Sequence, residues 1–351
     1  MPRRQVKQSD HPRRQPAAKT ALSPRESALL TAGRVRRRHV ATRLEYNTSI
    51  PKLEVVFSVS SLRSMVNAFS GRLRTMTPDD IPAGMRLKEI AGWNQTREDW
   101  QRFLEADPEG CFVAEWDGQV AGTAATIVYE HRFAWIGMVL VDPQVRGKGI
   151  GTALLLRAID HLDARKVPCM KLDATPQGKP IYARLGFQIE YEIERHSLTR
   201  EITADSGTQT AAATAENLEP LLEFDHQVFG ADRSALLRSL ASSAPDLVAI
   251  HRSGGAVEAF ALGRPGSRAD QLGPWVAANA AAARAVLDDF LPRSRRPVVF
   301  VDVLRDNAWA PALLAAREFQ FSRRLTRMYR GENAHPGRPD LLGAILGPEF
   351  G

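Results

Sequence analysis

Cysteine is scarce in this sequence and long apolar runs are absent, and each shortage excludes a class of protein. Among 351 residues only Cys111 and Cys169 are cysteines, which excludes a disulfide framework and an all-cysteine metal site. Both fall in predicted strands, where we expect buried thiols. No apolar stretch approaches the ~18–20 residues that a membrane-spanning helix needs. We therefore expect a soluble, cytoplasmic protein with no metal and no membrane partner.

Acidic residues are scarce in the first 70 positions. Four acids stand there against 14 Lys and Arg residues, so this segment carries +10, whereas residues 71–351 carry −3. The net charge of +7 therefore belongs to the N-terminal segment. Three interpretations remain open for it: a disordered basic extension or misassigned start, an organelle transit peptide, or a nucleic-acid-binding arm. Only the last would make nucleic acid a partner.

Patterned sequence starts near Arg72 and contains two successive α/β regions. The first has a hairpin turn at Asp117-Gly118, a strand over 133–141 and an amphipathic helix over 152–166. The second contains a strongly apolar strand over 298–304. We divide the chain into a basic extension, a first α/β domain, a small and polar linker, a second α/β domain and a Gly- and Pro-rich closing extension: 1–70, 72–197, 198–214, 215–335 and 336–351.

Glycines at alternate positions stand between the strand that ends at Val141 and the helix that starts at Thr152. The run is Arg146-Gly147-Lys148-Gly149-Ile150-Gly151. Glycine lets the backbone approach an anion closely, and the helix N-terminus adds unpaired N–H donors, so the loop suits a phosphate. Asp142 stands where a Walker loop needs glycine, and Thr152 where a dinucleotide fingerprint needs its third glycine, which excludes both.

This loop resembles motif A of the GNAT acyltransferases, R-x-x-G-x-G, in loosened form. A second signature, Tyr182-Ala183-Arg184-Leu185-Gly186-Phe187, begins 36 residues beyond Arg146 and resembles the Tyr-x-x-x-Gly-Phe element that closes the GNAT core. The resemblance is close over 72–197 and weaker beyond. It implies an α/β (α+β) fold of the GNAT type: a mixed central sheet with splayed parallel strands flanked by helices, followed by a second GNAT-like domain.

The resemblance also implies a chemistry, which is direct acetyl transfer from acetyl-coenzyme A to an amine of a small molecule or a protein. Tyr182 would protonate the departing thiolate, because a phenol stays protonated at neutral pH; packing is the alternative role. Thr175 replaces an asparagine that contacts the cofactor in many relatives. The cofactor-binding residues implied by position are Val139, Leu140, Val141, Arg146, Gly147, Lys148, Gly149, Ile150, Gly151 and Thr152.

A general base is less clearly marked. Asp173 comes near the end of the strand that precedes Tyr182, where the two parallel strands are expected to part. Glu130 and His131 end the hairpin and are further candidates. A structural or solvated role is the favoured alternative for each, and water could also accept the proton.

The acceptor site is expected at the break between the first two helices, since this break lines the acceptor side in the family. Trp93 and Asn94 lie in it. Trp135 and Trp100 would add an aromatic wall, with a place in the core as the equal alternative.

The second region resembles the degenerate acetyltransferase-like domain of tandem bacterial GNAT proteins. Leu314 stands opposite Tyr182, and no loop of the motif A type follows residue 200, so we expect no catalysis there. We expect this region to cover the first domain, to shape the acceptor cleft, or to bind a regulatory ligand at residues 263–268, with an exposed turn as the favoured alternative for those residues. A non-catalytic acyl-coenzyme A binding or sensing module is the alternative function of the chain.

Overall fold

The computed structural model describes residues 69–202 and 215–351, which lie in one compact unit. We call these two ranges the first and the second half. The three interpretations of the basic N-terminal segment and most of the predicted linker fall outside the described residues. Within them, no helix is long and apolar enough to cross a membrane.

The described residues form strands and helices in alternation. The strands are β1 (Arg72–Thr75), β2 (Cys111–Trp116), β3 (Gln119–Tyr129), β4 (Phe133–Val141), β5 (Cys169–Ala174), β6 (Gln188–Thr199), β7 (Val248–Ser253), β8 (Ala256–Pro265), β9 (Asp270–Ala277), β10 (Val298–Leu304), β11 (Gln320–Gly331) and β12 (Leu342–Ala344). The α-helices are α1 (Ile81–Ile90), α2 (Arg97–Ala106), α3 (Ile150–Ala164), α4 (Lys179–Arg184), α5 (Ala215–Phe229), α6 (Ser234–Ser243), α7 (Ala280–Arg293) and α8 (Ala310–Ala315).

These strands join in one mixed sheet that both halves share. Its order is β1-β2-β3-β4-β5-β11-β6-β10-β12-β9-β8-β7. Strand β11 of the second half lies between β5 and β6, and β6 of the first half lies between β11 and β10. Each half therefore contributes one strand that pairs on both sides with strands of the other half. The prediction of two successive domains missed this exchange, because a strand's own pattern reports its burial and not its partner.

Two buried ion pairs with the same geometry connect the exchanged strands to their neighbours. Arg327 on β11 faces Asp173 on β5 and donates to both carboxylate oxygens, each at 2.9 Å. Arg195 on β6 faces Asp302 on β10 and donates to both of its oxygens, at 2.8 and 2.6 Å. Bidentate geometry of this kind is the favourable one for a buried pair. Each half thus supplies an arginine to an aspartate of the other.

The predicted splay of parallel strands is confirmed, and it occurs in both halves. Strands β4 and β5 pair only at Ala134 with Met170 and at Trp135 with Lys171, and then part. Strands β9 and β10 pair in parallel over 270–272 and also part. In the second half β12 fills the gap and pairs antiparallel with both neighbours.

The last residues of the predicted closing extension are part of the core. Ile345, Leu346 and Phe350 are fully buried. The Phe350 ring stacks on Phe103 of α2 with the centroids 4.9 Å apart. The chain therefore runs from the filled gap of the second half directly into the interior of the first half.

Candidate active site

A cleft opens in the first half where β4 and β5 part. The volume of this cleft, including its open mouth, is about 580 Å³. The walls combine β4, the end of β5, the turn between α1 and α2, and the second half. The lining residues are Trp93, Gln95, Ile136, Gly137, Met138, Val139, Leu172, Asp173, Thr175 and Tyr182 from the first half and Arg323, Leu325, Pro348 and Glu349 from the second.

A β-bulge in β4 shapes one wall of this cleft. Met138 and Val139 together stand opposite the single residue Ala124 of β3. Met138 has a φ of +54°, and its carbonyl oxygen accepts a hydrogen bond from the Thr123 hydroxyl at 2.7 Å. A bulge bends its strand and interrupts the ladder. Here it coincides with the place where β4 leaves β5, so the backbone near Val139 faces the cleft.

The glycine loop stands at the carboxyl end of β4. Gly147 and Gly149 have φ angles of +83° and +79°, a conformation that glycine adopts without strain. Gly149 is the N-cap of α3, so the first amide groups of that helix face the end of the loop. Asp142 anchors the other side, because its carboxylate accepts from Gln144 N at 3.0 Å and from Arg86 at 2.6 Å. This anchoring pair lowers the pKa of Asp142.

The side chains of the loop divide into two kinds. Arg146 and Lys148 are exposed, with the Lys148 ammonium 4.3 Å from the centroid of the Trp116 ring. Ile150 and Leu140 are buried in the core, so only their backbone groups are available to a ligand. The ten predicted cofactor residues therefore form one continuous strand end, loop and helix start.

Tyr182 lies on the short helix α4 and lines the cleft. Its ring packs edge-on against Phe187, with the centroids 6.1 Å apart. A Cβ at Gly178 would come within 2.8 Å of the ring, which explains the glycine one turn earlier. Burial raises the pKa of the Tyr182 phenol to about 12. The phenol is therefore protonated at neutral pH and available as a proton donor.

Asp173 lines the cleft, but the structure engages both of its oxygens with Arg327, as described above. The carboxylate side chain has no exposed surface, and burial raises its pKa while the guanidinium opposes that shift. Asp302 makes the same ion pair in the half where no catalysis is expected. The ion pair thus gives Asp173 a structural role, and its role as a base stays a prediction.

Glu349 is the carboxylate that sequence reasoning missed. Its Oε2 accepts from Gln95 Nε2 at 2.8 Å, and Oε1 accepts from Arg264. Arg264 in turn donates to Asp99 at 2.7 Å. Burial raises the pKa of Glu349. No local signal marks this residue, since it lies in a Gly- and Pro-rich tail and reaches the cleft only through the tertiary fold.

The residues predicted to bind the acceptor lie in different places. Trp93 lines the cleft. The structure corrects the predictions for Asn94 and Trp135, which are buried and do not line it. The Asn94 carboxamide accepts from the backbone N of Arg268 and Ala269, each at 3.0 Å. Trp135 donates through Nε1 to Pro348 O at 3.0 Å, and Trp100 belongs to the core.

Residues 263–268 end β8 and turn toward β9 with Pro265, Ser267 and Arg268 exposed, as predicted, but the turn does not stand free of the first half. Arg264 is buried between Asp99 and Glu349, and Ser267 N donates to Asn94 O at 2.8 Å. The segment instead docks the second half onto the turn that carries Trp93. The second half therefore shapes one side of the cleft.

The remaining sequence candidates lie away from the cleft. Glu130 binds His226 at 3.0 Å and the backbone N of Asp232 at 2.8 Å, and neither it nor His131 lines the cleft. The two cysteines are buried as predicted, and burial raises the pKa of Cys111 to about 12 and of Cys169 to about 11. No cluster of metal-ligating side chains occurs among the described residues.

Comparisons with known proteins agree with this geometry. Residues 82–187 match the model of the acetyltransferase (GNAT) family, and residues 221–342 match that of an acetyltransferase (GNAT) domain. Holothin acyltransferase of Pseudoalteromonas sp. (strain SANK 73390) is 30% identical over 54% of this chain and 63% of its own length. A mycothiol acetyltransferase of Acidimicrobium ferrooxidans is 28% identical over 35% of this chain and 45% of its own length. The chain thus spans less than two thirds of each of these relatives.

A solved structure shares the fold over most of the chain. The putative acetyltransferase from Pyrococcus horikoshii superposes with a TM-score of 0.66 at 23% identity, covering 80% of this chain and 96% of its own. The two matched regions together exceed half of the chain. The chain belongs to the GNAT acetyltransferase family and carries two of its domains in tandem.

Proposed function

We propose that the first-half cleft transfers an acetyl group from acetyl-coenzyme A to an acceptor amine. The observation that carries this proposal is that the Tyr182 phenol lines the open β4–β5 gap, while the glycine loop follows the carboxyl end of the same strand β4. The corresponding gap of the second half is occupied by β12. Among the described residues, this asymmetry leaves one open gap for an active centre.

The cofactor contacts follow from the groups that the cleft leaves available. The amides of Gly147, Gly149 and the start of α3 would bind the pyrophosphate, assisted by the positive helix end. Arg146 and Lys148 would add charge from the exposed side. The backbone near Val139, freed by the bulge, would pair with the pantetheine amides and direct the thioester toward Tyr182.

Substituting alanine for Gly147 tests cofactor binding. A Cβ at this position meets nothing within 4 Å, but a left-handed conformation costs an L-residue about 1–2 kcal/mol. The backbone should shift and redirect its N–H groups. We expect Gly147→Ala to weaken acetyl-coenzyme A binding about tenfold, as measured by isothermal titration calorimetry.

Gly118 in the β2–β3 hairpin provides a matched control. It also has a positive φ, +74°, and also has open space around a Cβ. Gly118→Ala should lose a similar amount of stability and bind acetyl-coenzyme A normally. Equal affinities of the two variants would contradict the assignment of the loop. Binding without thiol release for any amine would favour the sensing module.

The transfer step itself can be assigned to two protein groups. The amine nitrogen attacks the thioester carbonyl carbon, so that the C–N bond forms and the C–S bond breaks. Tyr182 gives its phenolic proton to the departing sulfur and is reprotonated, through solvent, by the second proton that the nitrogen loses as the amide forms. Glu349 accepts the proton that the acceptor ammonium loses. Glu349 suits the role of base better than Asp173, because Oε2 is held by a neutral amide while both Asp173 oxygens face one guanidinium.

Removing the Tyr182 hydroxyl should slow the chemical step. We expect Tyr182→Phe to lower kcat about 10²-fold, the ordinary contribution of a general acid, with little change in the KM for acetyl-coenzyme A. The measurement is thiol release at saturating substrates.

Tyr191→Phe is the control for loss of a buried phenol. The Tyr191 hydroxyl binds Arg327 at 2.5 Å and does not line the cleft. This variant should lose stability and keep its kcat. An unchanged kcat in a folded Tyr182→Phe variant would remove Tyr182 from the mechanism.

A further inference from the structure

Arg323 is a cation without a partner on the acceptor side of the cleft. It extends from β11, and its guanidinium makes no hydrogen bond and no ion pair to any described residue. Its Nε is buried. Burial, together with the nearby positive charge of Arg195, lowers the pKa of Arg323 to about 10, although Asp302 and Glu349 oppose that shift. The residue as a whole is half-buried, but a buried polar atom without a hydrogen-bonding counterpart is costly, and the nearby Arg264 and Arg327 are both paired.

Gln95 presents an unpaired hydrogen-bond acceptor to the same cleft, whereas Arg323 presents an unpaired donor. Its side-chain nitrogen is committed to Glu349, whereas its carbonyl Oε1 is buried and accepts no hydrogen bond. An orphaned acceptor beside a carboxylate is a suitable environment for an ammonium group. The cleft thus leaves one donor and one acceptor unsatisfied, on β11 and on the α1–α2 turn.

We propose that the acceptor is an amino acid, that is, an amine that carries a carboxylate on the same molecule. Its ammonium would lie between Gln95 Oε1 and Glu349, and Arg323 would bind its carboxylate. This inference rests on the proposed function and specifies the acceptor of that same cleft. Both orphaned atoms then gain partners in one binding event, and the half-buried charge of Arg323 is neutralised.

A carboxylate matches the cleft better than a phosphate. Arg323 is the one cation among the described residues that line it, whereas Asp173 and Glu349 are both acids. A dianion would bring two negative charges to a single unpaired guanidinium and would face the repulsion of Glu349. A carboxylate brings one, and its two oxygens match the planar fork of an arginine.

The test compares amino acids with their uncharged counterparts. The full chain is assayed for thiol release from acetyl-coenzyme A with glycine, β-alanine, 4-aminobutanoate and L-glutamate, and with the matching carboxamides. Aminoalkyl phosphates form a third arm. We expect kcat/KM for the preferred acid to exceed that for its amide about 10²-fold. The chain-length series reports the spacing between amine and carboxylate.

Substitution of Arg323 identifies the group that recognises the carboxylate. Arg323→Gln should raise the KM for the acid about 10²-fold, leaving kinetics with the amide and the KM for acetyl-coenzyme A unchanged. Arg323→Lys should restore part of the loss. The control is Arg324→Gln, one residue along β11, whose side chain is 64% exposed and 3.5 Å from Glu194; it should behave as wild type.

Several results would overturn this inference. Amides or phosphates used as well as the acids would do so, as would an acid preference that survives in a folded Arg323→Gln variant. Activity confined to amines without an anionic group would refute the amino acid while leaving acyl transfer standing. Acetyl-coenzyme A binding without transfer to any amine would refute the proposed function itself.

Discussion

Glu349→Gln should lower kcat for acyl transfer about 10³-fold, within the usual range for loss of a general base. The substituted amide is of the same size and still accepts a hydrogen bond from Gln95, but it cannot take a proton from the acceptor ammonium. Arg264 keeps its ion pair with Asp99, so the surrounding network retains a charged partner. The measurement is steady-state thiol release with saturating acetyl-coenzyme A and acceptor.

The pH profile separates this role from a structural one. Burial raises the pKa of Glu349 above its ordinary value, so the base should become protonated, and kcat should fall, at a pH above the usual carboxyl range near ~4.3. Activity is thus present above the Glu349 pKa and lost as the pH falls through it. Glu349→Gln should abolish that acidic limb. A variant that keeps the limb and loses only stability would show that Glu349 merely holds Arg264.

Arg327→Ala should lower the free energy of unfolding by about 3–5 kcal/mol, the cost of leaving a buried partner charge uncompensated. Asp173 would lose both of its hydrogen bonds. The guanidinium also lies 4.4 Å from the centroid of the Trp135 ring, a contact that the substitution removes. Because the pair links β5 to β11, its loss weakens the junction between the halves. Chemical denaturation followed by fluorescence measures the change.

Arg330→Ala on the same strand provides the comparison. Its side chain is 32% exposed and lies 3.4 Å from Asp163, so its removal should change the stability by less than ~1 kcal/mol. Asp173→Asn tests the predicted role of Asp173 as a base. It should destabilise the protein while the folded fraction keeps its kcat. Loss of kcat at unchanged stability would instead restore Asp173 as the base.

Individual strands and helices could be predicted from the pattern of apolar residues along the chain, as two strands and one helix illustrate. The predicted strands 133–141 and 298–304 coincide with β4 and β10. The helix predicted over 152–166 begins and ends two residues earlier, at Ile150 and Ala164, because Gly149 in its left-handed conformation caps it. Side-chain periodicity and glycine conformation act over a few residues, so these features are readable from the chain.

Other features depend on contacts between distant residues. Strand β11 lies next to Asp173 although more than 150 positions separate Arg327 from it. The role of Asp173 could not be read from its neighbours, since an aspartate at a strand end fits both a base and an ion pair. Trp135 could likewise line the acceptor site or pack in the hydrophobic core. Its hydrogen bond to Pro348 O, which the sequence does not reveal, favours the core.

The sequence by itself determined the family and marked the glycine loop and the Tyr182 phenol of the proposed site, because each is a short motif whose conformation is local. The tertiary structure alone decided that Glu349 lines the cleft and which half remains open. Strand exchange sequesters Asp173, β12 closes the second gap, and the buried tail brings Glu349 beside Gln95. These outcomes depend on strand partners and on a chain path across two halves, and burial patterns along one strand carry no record of either.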